Sequence, residues 1–154
     1  TRFVRKGIIQ VYGEGSEFEI GKGVVLHESD SDVATIITSG IMVDEALKAY
    51  EALAAEGISV RVIDMFTWKP IDEDLIVKCA KETGAIVTAE NHNCTVGLGA
   101  AVARVLAEKA PTPVEMVGVH DQFGQVGAQA YLQEVYKLTA DEVVANVKKV
   151  LARK

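Results

Sequence analysis

Four short apolar runs, Val33 to Thr38, Ile58 to Ile63, Ala85 to Ala89 and Val114 to Val119, are each followed by a longer polar-apolar segment. Each run is too short for a helix and consists mostly of β-branched residues or alanine, which is the texture of a strand buried on both faces. Strict alternation of strand and helix, with crossovers long enough for right-handed connections, demands a parallel sheet covered on both sides. Before Val33 the texture changes. Ile8 to Tyr12 and Val24 to His27 are small strand-like runs separated by the polar, glycine-rich stretch Gly13 to Gly23, and they read as a linker or edge segment. The predicted fold is α/β, a three-layer α/β/α domain on a mostly parallel sheet of about five strands, one of them antiparallel.

The helical segments carry their own signals. Ser39 is placed to cap a helix from about Met42 to Glu56, in which Val43, Ala46, Leu47, Tyr50, Leu53 and Ala54 recur at helical spacing, and Gly57 ends it. Asp72 caps a second helix with Leu75, Ile76, Cys79 and Ala80 on one face, closed by Gly84. A third runs from about Leu98 to Lys109 and is stopped by Pro111 and Pro113, and a fourth begins near Gly127. Thr139 and Glu142 form a capping-box pattern that opens the last helix, with Val143, Val144, Val147 and Leu151 toward the core.

Composition narrows the function classes. The chain has 154 residues, enough for one ordinary domain. Its net charge is −6, and its 16 basic and 22 acidic residues are spread along the chain, so no footprint for nucleic acid or an anionic membrane surface exists. No apolar run is long enough to span a bilayer. Two cysteines, Cys79 and Cys94, make no disulfide framework, and a reducing cytoplasm is the expected compartment. The chain opens on Thr1 with neither methionine nor a signal pattern, so a piece of a longer protein is expected.

Open parallel sheets bind ligands beyond the carboxyl ends of their strands. Glu90-Asn91-His92-Asn93-Cys94 follows one predicted strand there, and His120-Asp121-Gln122-Phe123-Gly124 follows another. Glu90, His92, His120 and Asp121 are therefore the candidate residues of a ligand-binding or interface edge. A metal centre is not expected, because no HxxxH, CxxC or HExxH pair fixes two ligands on one element. Nothing marks Cys94 as an activated nucleophile. Gly97-Leu98-Gly99 imitates a dinucleotide turn, but Val102 stands where the third glycine belongs. Gly21-Lys22-Gly23 lacks the flanking residues of a phosphate loop. Phe66 and Trp68 put two aromatics in one loop at the sheet edge, the character of a contact with a partner domain.

Five stretches fit one family in order. They are Ile37-Thr38-Ser39-Gly40; Gly57 to Asp64; Thr67-Trp68-Lys69-Pro70-Ile71-Asp72; Ala89-Glu90-Asn91-His92 leading into Gly97-Leu98-Gly99-Ala100-Ala101-Val102; and Asp121-Gln122-Phe123-Gly124-Gln125-Val126-Gly127. Their succession resembles the transketolase C-terminal domain over nearly the whole chain. Deoxyxylulose-phosphate synthase and the β subunits of 2-oxoacid dehydrogenases share this domain, while the Lys-Pro-Ile-Asp form and the head segment look more like transketolase.

The resemblance implies that residues 1–32 hold the end of an upstream pyrimidine-binding domain plus a linker or edge strand, and that residues 33–154 form the C-terminal domain. Thr1-Arg2-Phe3-Val4-Arg5-Lys6 is similar to a family segment whose arginine holds the substrate phosphate, so Arg5 is the implied phosphate ligand, with Arg2 second. A guanidinium fork suits phosphate oxygens. The family's thiamine diphosphate and Mg are held by a GDG…N motif and activated by a glutamate, both in upstream domains. Here Gly13-Glu14-Gly15 has Glu for Asp and no Asn at the usual distance. No cofactor is therefore expected to be bound by this chain, and no catalytic residue is assigned. The implied role is fold completion and dimer or subunit contacts in an enzyme moving two-carbon ketol units between sugar phosphates. Its implied partners are the upstream domains or an N-terminal subunit, in a homodimer. The alternative reading is a free-standing nucleotide or small-ligand module built on Glu90, His92, His120 and Asp121.

Overall fold

The computed structural model describes residues 8–154, so Arg5 and Arg2 lie outside the described residues. Five strands form one sheet: β1 (Val24–His27), β2 (Ala34–Thr38), β3 (Val60–Asp64), β4 (Ile86–Asn93) and β5 (Val114–Val119). Their order is β1-β3-β2-β4-β5. β2 pairs in parallel with β3 and with β4, and β4 pairs in parallel with β5. β1 runs antiparallel to β3 at one edge. Every residue of β2 and β3 is buried, as strands covered on both faces require.

Helices α1 (Met42–Ala55), α2 (Glu73–Thr83), α3 (Leu98–Lys109), α4 (Gln129–Val135) and α5 (Ala140–Leu151) complete the chain. On one face of the sheet, Met42, Ala46 and Leu53 of α1 and Val143, Val147 and Val150 of α5 pack against Ile36, Val62 and Val87. On the other, Ile76 and Cys79 of α2 and Val102, Val105 and Leu106 of α3 pack against Ile37, Ile63 and Ile86. The two clusters place the sheet between helical layers, as the alternation predicts.

Local signals hold in most places. The Asp72 side chain accepts from the Leu75 amide, and Gly84 ends α2 at φ +66°, where a Cβ is disfavoured. Thr139 accepts from the Glu142 amide at 3.4 Å. Three expectations are corrected. Ile8 to Tyr12 is not a strand: β1 occupies the sheet edge beside β3, and Ile8 and Ile9 stay half exposed across the carboxyl ends instead. Ser39 does not cap α1, whose capping position is Ile41, because its hydroxyl accepts from the Trp68 indole at 3.2 Å. The apolar face of α1 is turned slightly, with Ala49 inside and Ala54 exposed.

Candidate functional site

β2 is flanked by β3, whose connection leaves it on one side, and by β4 on the other, so the strand order reverses between β2 and β4. Crevices at such reversals, outside the carboxyl ends, are where open α/β sheets bind ligands. Ser39 and Gly40 leave β2 there, and Glu90, Asn91 and His92 occupy the end of β4. β4 runs on through Asn93 rather than turning at Glu90, because Asn93 pairs with Val119 after a bulge and the Cys94 amide donates to the Val119 carbonyl at 3.1 Å.

Glu90 is fully buried. Its Oε2 accepts from the Leu98 amide at 2.8 Å and its Oε1 from the Gly99 amide at 2.7 Å. A helix begins with amide groups that have no partner within it, and a carboxylate set against them forms charge-assisted bonds aligned with the helix dipole. Glu90 is thus a cap for α3 delivered from β4. Gly97, at the capping position itself, has no side chain to offer, and a Cβ there would lie 1.8 Å from Glu90 Oε2. The Gly97-Leu98-Gly99 sequence is explained by this close approach.

His92 lies at the rim, its Nδ1 4.0 Å from Glu90 Oε2 and its ring edge-on to Trp68 at 5.9 Å between centroids. Trp68 in turn donates to Ser39, so β2, the loop after β3 and the end of β4 are tied together by Ser39, Trp68 and His92. Cys94 is buried, and burial, with the Glu90 carboxylate nearby, pushes its thiol up to about 11. A thiol held neutral is a poor nucleophile.

His120 and Asp121 do not join this cluster. Both are exposed, and neither side chain has a hydrogen bond or ion pair among the described residues. His120 lines a small cleft of about 270 Å³ with Tyr136 and Glu142, toward α4 and α5. Beyond it, Phe123 is 98% and Val126 100% exposed, in a loop whose Phe123 carbonyl accepts from the Tyr136 hydroxyl at 3.0 Å. Of the four edge residues, the fold brings Glu90 and His92 together and sets His120 and Asp121 apart. Among the described residues no three His, Cys, Asp or Glu come close enough to hold a metal. No described helix is long and apolar enough to cross a membrane.

Two sets of contacts at the edge are not visible in the sequence. Asp64 ends β3 at 6% exposure, burial raises its carboxyl above the usual aspartate range, and its Oδ2 accepts from the Tyr12 hydroxyl at 2.7 Å. A carboxylate closing a β-branched run was the available signal. Tyr12, Phe18 and Phe66 stack edge to face in succession, at 4.8 and 5.4 Å, and fasten the segment before β1 to the loop after β3.

Residues 21–143 match the family model described as transketolase, C-terminal domain. The chain is 45% identical over 153 residues to the 6-deoxy-6-sulfo-D-fructose transketolase subunit SqwH of Clostridium sp. (strain MSTE9), covering 99% of this chain and 47% of that one. It is 37% identical over 139 residues to the transketolase of Rattus norvegicus, covering 90% of this chain and 22% of that one. A solved split gene transketolase, described as an inactive beta4 tetramer, superposes with a TM-score of 0.91 at 51% identity, over 96% of this chain and 48% of the solved one. The chain spans half or less of the length of these relatives. With a family match over most of its residues and five ordered motifs folded into a mixed five-stranded sheet, the chain belongs to the transketolase C-terminal domain family.

Proposed function

We propose that this chain is the C-terminal domain of a transketolase-like enzyme that transfers two-carbon ketol units between sugar phosphates in the cytoplasm. It completes the fold and supplies subunit contacts, and it is inactive alone. In this reading residues 1–32 hold the end of the pyrimidine-binding domain with the linker and edge strand, residues 33–154 form the domain proper, and Arg5 contacts substrate phosphate.

The observation that carries this reading is the loop after β5, where Phe123 and Val126 are almost wholly exposed side by side with His120 and Asp121. Apolar side chains held out at a strand-end edge suit a surface covered by another domain or subunit. The residues present do not fit the family's cofactor. Gly13-Glu14-Gly15 lacks the GDG…N pattern, and the buried carboxylate Glu90 is bound to backbone amides of α3. Thiamine diphosphate and Mg therefore belong to the upstream domains or N-terminal subunit, and no chemical step is assigned to this chain. The assembled enzyme is a homodimer of such units.

The docking role is tested by changing Phe123 and Val126 together to serine. Both side chains are already in solvent, so the chain's own unfolding midpoint stays unchanged, while its association with the upstream domains weakens at least about tenfold. Unchanged association removes this loop from the interface.

A further inference from the structure

Tyr12 and Asp64 meet at a cleft of about 540 Å³ at the carboxyl end of β3, apart from the Glu90 and His92 cluster. Ile8, Ile9, Ile41, Val43 and Phe66 give it apolar walls, and Gln129 and Gln133 of α4 close its far side. Its size and its mostly apolar lining with a few polar groups are those of small-molecule sites. Asp64 lines the cleft, and its Oδ1 is buried with no hydrogen-bond partner among the described residues. A buried carboxylate oxygen left without a donor carries a desolvation cost that a bound donor removes.

The charges select the ligand. The cleft contains two carboxylates, Asp64 and Asp44, and no described lysine, arginine or histidine lines it. Lys48 already pairs with Asp44 at 2.9 Å, and no described cation pairs with Asp64. Among the described residues, the titratable groups facing Asp64 are the Tyr12 phenol from the segment before β1 and Asp44 from α1; β2 presents Thr38, the loop after β3 Phe66, and α4 its two glutamines. An anion is repelled here, and a neutral ligand leaves the Asp64 charge uncompensated.

We propose that this cleft binds a small organic cation, with an ammonium or amidinium head on Asp64 and an apolar body against Ile41 and Phe66. The head reaches the carboxylate by displacing the Tyr12 hydroxyl, on a segment held by aromatic contacts and by no strand pairing. A bond between two opposite charges then replaces one in which only the acceptor is charged. Because protonation of Asp64 removes the attraction, affinity falls as pH is lowered through its raised range.

Isothermal titration calorimetry of the 154-residue chain with benzamidine and its neutral counterpart benzamide tests this. Benzamidine is expected to bind at least about tenfold more tightly than benzamide. Asp64→Asn is expected to reduce benzamidine to the level of benzamide, and Tyr12→Phe, which keeps the ring and removes the competing hydroxyl, to bind it as well as or better than the unaltered chain. The comparison of the two probes on the unaltered chain stands even if a variant unfolds. Absence of benzamidine binding, equal affinity for the two probes, or binding that survives Asp64→Asn in a folded variant overturns the proposal.

Discussion

Gly97 approaches the carboxylate of Glu90 so closely that a Cβ on the glycine would sit 1.8 Å from Oε2, inside the bond that the oxygen makes to the Leu98 amide. No flexible side-chain end is available to yield, because Glu90 is fully buried and held by two amides. Gly97→Ala is therefore expected to destabilise the domain by about 2–4 kcal/mol, through a displaced cap and unsatisfied amides. Glu90→Gln, which turns one acceptor into a donor facing an N–H, is expected to cost about 1–3 kcal/mol. Urea unfolding measures both, and losses within about 0.5 kcal/mol of zero, the usual scale of a surface change, would show that the cap carries no stability.

Asp64 makes stability depend on pH in the direction opposite to that of most carboxylates. Burial raises its carboxyl in the folded chain, and the Tyr12 hydroxyl only partly offsets this. A group with a raised folded value contributes stability that is fully present below the unfolded value, about 3.9, and is lost as pH rises through the folded one. Asp64→Asn is expected to remove that loss. The difference in unfolding midpoint between the variant and the unaltered chain should shift in the variant's favour as pH rises above about 4. A difference that is flat with pH contradicts the burial cost assigned to Asp64.

The thiols are expected to be silent. Cys79 and Cys94 are both buried and free, burial raises both, and Cys94 reaches about 11. A disulfide reagent at neutral pH should therefore react at the rate of unfolding and accelerate sharply in denaturant. Fast labelling of the folded chain would show that the strand-end region opens readily.

The layer architecture was legible because it rests on period and punctuation. Short β-branched runs, Asp72, Gly84 and the Thr139 cap each dictate local geometry without help from distant residues. Ser39 was misread because its hydroxyl has two attainable partners, the α1 amides and the Trp68 indole, and only the tertiary fold brings the second within reach. Ile8 to Tyr12 has the composition of a strand, but it lies across the carboxyl ends, where Tyr12 bonds to Asp64, and it pairs with no strand of the sheet. At the candidate site the position of Glu90 at the strand end was readable, whereas its burial under α3 was not, since that depends on how Gly97 and Gly99 let the helix approach. His120 and Asp121 stand one strand over, where His120 lines a cleft toward α4 and α5 and Asp121, at a φ of +29°, is exposed.

In the proposed role the domain has no ketol-transfer chemistry of its own and gains it from upstream domains. The most direct test is a coupled assay of ketol transfer with thiamine diphosphate, Mg, xylulose 5-phosphate and ribose 5-phosphate, on this chain alone and after joining it to the two upstream domains of a transketolase. Turnover is expected at the buffer baseline for the chain alone and measurably above it for the joined protein. Turnover by the chain alone would contradict the proposed role.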